Sequence, residues 1–166
     1  MNSEQLRAMQ APLKDQYRAD AASALVTLRA KGDTTANLSC KVETGRALVE
    51  AGLHPATGGD GSLMCSGDLL LEALVACAGV TLRAVATAIG VGLRGAAITA
   101  EGDLDFRGTL GVSKEAPVGF QRIRLRFTLD TDASEEQRAT LLRLTERYCV
   151  VLQTLQHPPS IDAGLS

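Results

Sequence analysis

Four thiols, Cys40, Cys65, Cys77 and Cys149, are the side chains best able to do chemistry in this chain of 166 residues. A thiolate is a nucleophile and a metal ligand, and its reactivity follows its ionisation. None of the four belongs to a C-x-x-C pair, so a structural zinc site is not expected. The two histidines, His54 and His157, lie far apart in sequence. No ligand spacing joins His54, Cys65 and Cys77 into a metal site, and no metal or other cofactor is expected. A buried free cysteine is ordinarily a small hydrophobe. Two of them on separate helices become interesting, because helices packed on one sheet can bring their sulfurs together; a disulfide requires Cα atoms about 4.4–6.8 Å apart.

The elements that hold these thiols can be read from the pattern. Cys77 sits in the middle of "GDLLLEALVACAGVTLRAVATAIG", residues 67–90, the most apolar stretch of the chain. Ser66 is a natural cap for that helix, Asp68 suits its first turn, and Gly90 is a natural terminator. A second helix follows the capping box Ser134-Glu135-Glu136-Gln137 and carries Leu141, Leu142, Leu144, Tyr148, Cys149, Leu152 and Leu155 in one broad apolar stripe, ending before Pro158 and Pro159. Around these lie alternating segments. Ala24 to Arg29 reads as a strand, "KGDTT" as a turn, and Leu38 to Glu43 as the second strand of a hairpin, with a third strand over 46–51. Cys40, alternating with Leu38 and Val42, reads as a core residue. Residues 93–107 and 122–129 alternate again, and "SIDAGLS" reads as a closing edge strand. Ser3 is placed to cap a short helix through Met9, and Pro12 to open another. Strands, long helix, strands, helix is the order of an α+β protein with helices on one face of an antiparallel sheet.

Composition narrows the function. With 45% apolar residues and only 3% aromatic, the core and any pocket must be aliphatic. The net charge of −2, with both signs mixed, gives no electrostatic case for nucleic acid or an anionic membrane. "HPATGGDGS", residues 54–62, lacks the spacing of a phosphate-binding loop and reads as a flexible connection. The arginines Arg122, Arg124 and Arg126 read as a solvated sheet face. The N-terminus lacks the layout of a signal peptide, so a reducing cytoplasm is the expected compartment. Ala73 to Leu82 carries no charge on any side, so the helix needs cover all round. Glu72 and Arg83 bracket too short a run for a membrane span. A second copy of the chain is the simplest cover, and a homodimer is expected.

"GDLLLEALVACAGVTLRAVA", followed far downstream by "LTERYCVVLQTL", resembles the OsmC/Ohr superfamily of osmotically inducible and organic hydroperoxide resistance proteins. The likeness runs over residues 22–165, leaving 1–21 as an N-terminal helical extension and 22–166 as the OsmC-like domain. It implies an antiparallel sheet packed on a long central helix in an intertwined homodimer. It implies thiol-dependent reduction of organic hydroperoxides, with Cys77 at the peroxidatic position, Cys149 at the resolving one, and a dithiol or lipoylated protein as reductant. It implies an activating arginine from the N-terminal strands, for which Arg29 is the first choice and Arg18 the second. Two departures stand out. Ser66-Gly67 replaces the Pro-Glu pair of hydroperoxide-reducing members, and Val150 stands where a proline often follows the second cysteine. The competing expectation is an OsmC-like protein that binds a small apolar ligand, its thiols passive.

Overall fold

The computed structural model describes residues 2–5, 7–8, 10–11, 19, 31–34, 40–43, 48–111 and 113–165, with backbone alone for 31–34, 40–43 and 48. The strand expected from Ala24, with Arg29, and the helix expected from Pro12, with Arg18, lie outside the described residues.

The strands are β1 (Lys31–Thr34), β2 (Cys40–Glu43), β3 (Leu48–Gly52), β4 (Met64–Cys65), β5 (Gly95–Asp103) and β6 (Arg122–Asp130). Residues 3–5, 7–8 and 10–11 are helical, and the helices whose bounds lie within the described residues are α1 (Ser66–Ile89), α2 (Phe106–Thr109), α3 (Glu135–Tyr148) and α4 (Val150–Gln156). β1 to β4 form one sheet in chain order and β5 pairs with β6 in another. β1–β2 and β2–β3 are antiparallel, Lys31 opposite Glu43 and Cys40 opposite Ala51, whereas β4 runs parallel to β3. The result is the α+β class expected. Several local expectations are corrected. "KGDT" is strand rather than turn, so the hairpin closes later in the chain. Residues 93–107 split into β5 and the short α2, which Asp105 caps by accepting from the Arg107 N–H. "SIDAGL" has no regular structure. At the N-terminus the reciprocal cap is Asn2 with Gln5, at 2.8 and 3.0 Å, one residue ahead of Ser3.

The chain divides into two compact units, Met1–Arg18 with Ala73–Thr99 and Arg126–Ser166, and Ala19–Glu72 with Ala100–Leu125. The first unit holds an aliphatic core of Leu82, Val85, Ala86, Val91 and Leu141, against which Ile98, Phe127, Leu129 and Leu144 pack. The strand residues among these are the ones that alternation assigned inward. α1 ends in a Schellman turn, where Gly90 at φ +74° lets the Val91 N–H reach the Ala86 carbonyl at 2.9 Å. Arg83 donates to the Leu93 and Arg94 carbonyls and ties that end to the entry of β5. Arg94 is clamped by Asp130 and Asp132, which raise its pKa further. By length and composition α1 does pass as a membrane span, contrary to expectation. Its buried face is Leu74, Ala78, Leu82, Val85 and Ala86, of which Leu82, Val85 and Ala86 pack in the core of the first unit.

In the second unit, residues 54–62 are an ordered turn rather than a flexible connection. His54 Nδ1 accepts from the Ala56 N–H at 3.0 Å, Pro55–Thr57 makes one 3₁₀ turn, and Asp60 accepts from Ser62. The His54 ring stacks on Phe106 with centroids 4.8 Å apart. Arg124 is not merely solvated: it pairs across the strands with Glu101 at 3.0 Å and with Asp103, which holds the Asp103 carboxyl below the usual range.

Candidate thiol site

Cys77 lies at mid-length in α1, four residues before Thr81 and on the flank of the buried face. It is half-buried rather than deep. Cys149 is fully buried. Both belong to the first unit, and their sulfurs are within hydrogen-bonding reach of each other. Both are free thiols.

The helix carrying Cys149 is not continuous, as the apolar stripe had suggested. Cys149 stands in extended backbone, φ −74° and ψ 105°, between α3 and α4. Its N–H closes α3 by donating to the Thr145 carbonyl at 2.9 Å, and its own carbonyl opens α4 by accepting from the Gln153 N–H at 2.9 Å. The N–H groups of the next residues therefore have no helical partner behind them. The Val150 and Val151 N–H groups are within reach of Cys77, and those of Val151 and Leu152 within reach of Cys149.

The two thiols respond in opposite directions. Burial alone pushes the Cys77 thiol up. The Val151 N–H, the Cys149 thiol, the Thr81 hydroxyl and the Val150 N–H outweigh it and hold Cys77 below the ordinary thiol value. Burial pushes Cys149 up, and its neighbour Cys77 keeps it there, because a thiolate beside it disfavours a second negative charge. Of the two, Cys77 is the thiol more readily ionised and Cys149 the one less readily ionised.

Thr81 and the backbone donors of residues 150–151 were not singled out from the sequence. Spacing gives the first, since i and i+4 share a helix face. The departure Val150, at the place of a family proline, marks the second: the break stands where that proline would, without it. Cys65 is not part of the pair. It sits in the second unit, beside Gly67, on the wall of a cavity of about 380 Å³ that His54, Asp68, Leu71, Phe106 and Phe120 also line. Among the described residues no cluster of histidine, cysteine and carboxylate groups is able to hold a metal ion.

The fold is of the mixed α+β class, and its longest described helix carries a thiol with a second thiol within reach. The family model for OsmC-like protein matches residues 59–163, and the chain belongs to that family. The fold is similar to that of an OsmC-like protein from Mycoplasma pneumoniae (TM-score 0.68, 16% identity, 80% of this chain and 89% of that one). It is similar to an organic hydroperoxide resistance protein OsmC from Legionella pneumophila (TM-score 0.63, 19% identity, 80% and 91%). It is also similar to an organic hydroperoxide resistance protein from Elizabethkingia anophelis (TM-score 0.65, 15% identity, 81% and 91%). No curated protein matches the chain.

Proposed function

We propose that the protein reduces organic hydroperoxides in a stress response, with Cys77 as the peroxidatic and Cys149 as the resolving cysteine. The observation that carries this reading is the pair itself: two thiols, one inside a helix and one at the break between two others, within reach of each other, the first with its pKa lowered and the second with its pKa raised. Hydroperoxide resistance proteins of the same fold support it.

The Cys77 thiolate attacks the distal oxygen of the hydroperoxide. The O–O bond breaks, the alkoxide takes a proton and leaves as alcohol, and Cys77 becomes a sulfenic acid. The Cys149 thiol then attacks that sulfur, forming the disulfide and releasing water. A dithiol or lipoylated reductant supplies two electrons and two protons, reopening the bond as its own thiols become a disulfide. Aliphatic surroundings favour alkyl and lipid hydroperoxides over hydrogen peroxide. The donors on Cys77 among the described residues are hydroxyl, thiol and backbone N–H groups; a guanidinium such as that of Arg29 would add to them.

The working form in this reading is a homodimer in a reducing cytoplasm. Ala73, Ala76, Val80 and Ala84 form an exposed apolar stripe along α1, with Val80 73% exposed, and Val150 beside the thiols is 70% exposed. A second copy laid on this stripe would seal the thiol site from water. Sedimentation equilibrium is expected to give a dimer at micromolar concentration; a stable monomer refutes that part.

Treating the reduced protein with cumene hydroperoxide tests the reaction. Two thiols per chain should be lost rapidly, with a Cys77–Cys149 disulfide on peptide mapping. An unchanged thiol count under excess peroxide refutes it and leaves a binding protein.

A further inference from the structure

The break between α3 and α4 has its own support. If the helix ran on through Cys149, the Val150 N–H would donate to the Glu146 carbonyl. That carbonyl is occupied by another donor: the Gln153 side-chain amide reaches back seven residues and donates to it at 2.9 Å. The same Nε2 also contacts Gln156 Oε1 at 3.3 Å, which fixes the orientation of the amide. Gln153 is half-buried, and its backbone N–H already bonds the Cys149 carbonyl. One residue therefore grips both sides of the break, main chain to Cys149 and side chain to Glu146.

We propose that Gln153 is a positioning residue: by occupying the Glu146 carbonyl it holds the helix break open and keeps the Val150 and Val151 N–H groups turned to the Cys77 sulfur. A hydrophobic residue at 153 would free that carbonyl to accept the Val150 N–H, its partner in a continuous helix, and so withdraw the donor from sulfur. This rests on Cys77 being the reactive thiol of the proposed function, but its test does not need peroxidase activity.

The experiment is the pH dependence of Cys77 alkylation, resolved by peptide mass spectrometry, in reduced wild type, Gln153→Leu and Gln153→Glu. The glutamate is isosteric but, once ionised, has no donor. Both variants should move the Cys77 profile to higher pH and slow its alkylation at neutral pH by roughly fivefold, the scale of one hydrogen bond. A merely structural role would lower the melting temperature of the variants and leave the profile in place. Profiles superimposable on wild type in both variants overturn the proposal. Loss of hydroperoxide reduction in the wild type, with the profile still moving in the variants, would refute the proposed function and leave the role of Gln153 intact.

Discussion

Cys77 and Cys149 occupy opposite kinds of helix position. Cys77 lies inside a helix of 24 residues whose own N–H groups are spent on its own carbonyls. Cys149 lies where a helix stops and restarts, and the restart leaves N–H groups unspent. The donors freed at the second position serve the first. An intact helix can carry a thiol to a site but offers it little from its own backbone; a broken one supplies several donors while burying its own thiol completely. The asymmetry is one of ionisation, the thiol on the unbroken helix held low and the thiol at the break held high, which is what the proposed roles require.

Substitutions that remove one side of this comparison should have the largest effects. Cys77→Ser is expected to abolish thiol loss under hydroperoxide, measured by thiol titration. Cys149→Ser should still consume one equivalent of peroxide and then stop, with the Cys77 sulfenic acid trapped by dimedone. A variant that turns over normally would break the assignment. Leu141→Ala, in the core that positions α3 against α1, should cost about 2–5 kcal/mol in denaturant unfolding. Thr81→Val removes the hydroxyl within reach of Cys77 and should slow its alkylation at neutral pH by roughly fivefold, with Thr81→Ser restoring it. Val150→Pro is the mildest probe. Proline is tolerated at the first position of a helix, and Cys149 already has the extended backbone that a following proline requires. The variant should fold normally and lose only the Val150 donor, raising the Cys77 midpoint slightly. Cys65→Ser, in the other unit, should leave peroxide consumption unchanged.

Much of this was legible in the residues. The capping box at Ser134 and Gln137, the terminator Gly90 and the alternation of β5 and β6 are local signals, and the structure follows them. The association of Cys77 with Cys149 came only from the resemblance that two motifs bear to the OsmC/Ohr superfamily, not from spacing. The break was not legible, because the apolar stripe of α3 runs on through α4 with no glycine or proline between them. In our proposal the break is held by the Gln153 amide, which takes the Glu146 carbonyl seven residues back in the sequence. The "KGDT" strand was missed for a related reason: turn-forming residues are overridden by pairing with Cys40–Glu43. Likewise, the glycine-rich loop is ordered by the ring of His54, which stacks on Phe106.

The order in which the two thiols ionise tests the account most directly. In the reduced wild-type protein, alkylation of Cys77 and Cys149 can be followed separately across pH. Cys77, held low, should react with a midpoint below the ordinary thiol value of about 8.5 and lose reactivity only as pH falls through that lowered midpoint. Cys149, held high, should stay protonated until well above it. A Cys77 midpoint at or above the ordinary value, or Cys149 ionising first, contradicts the account.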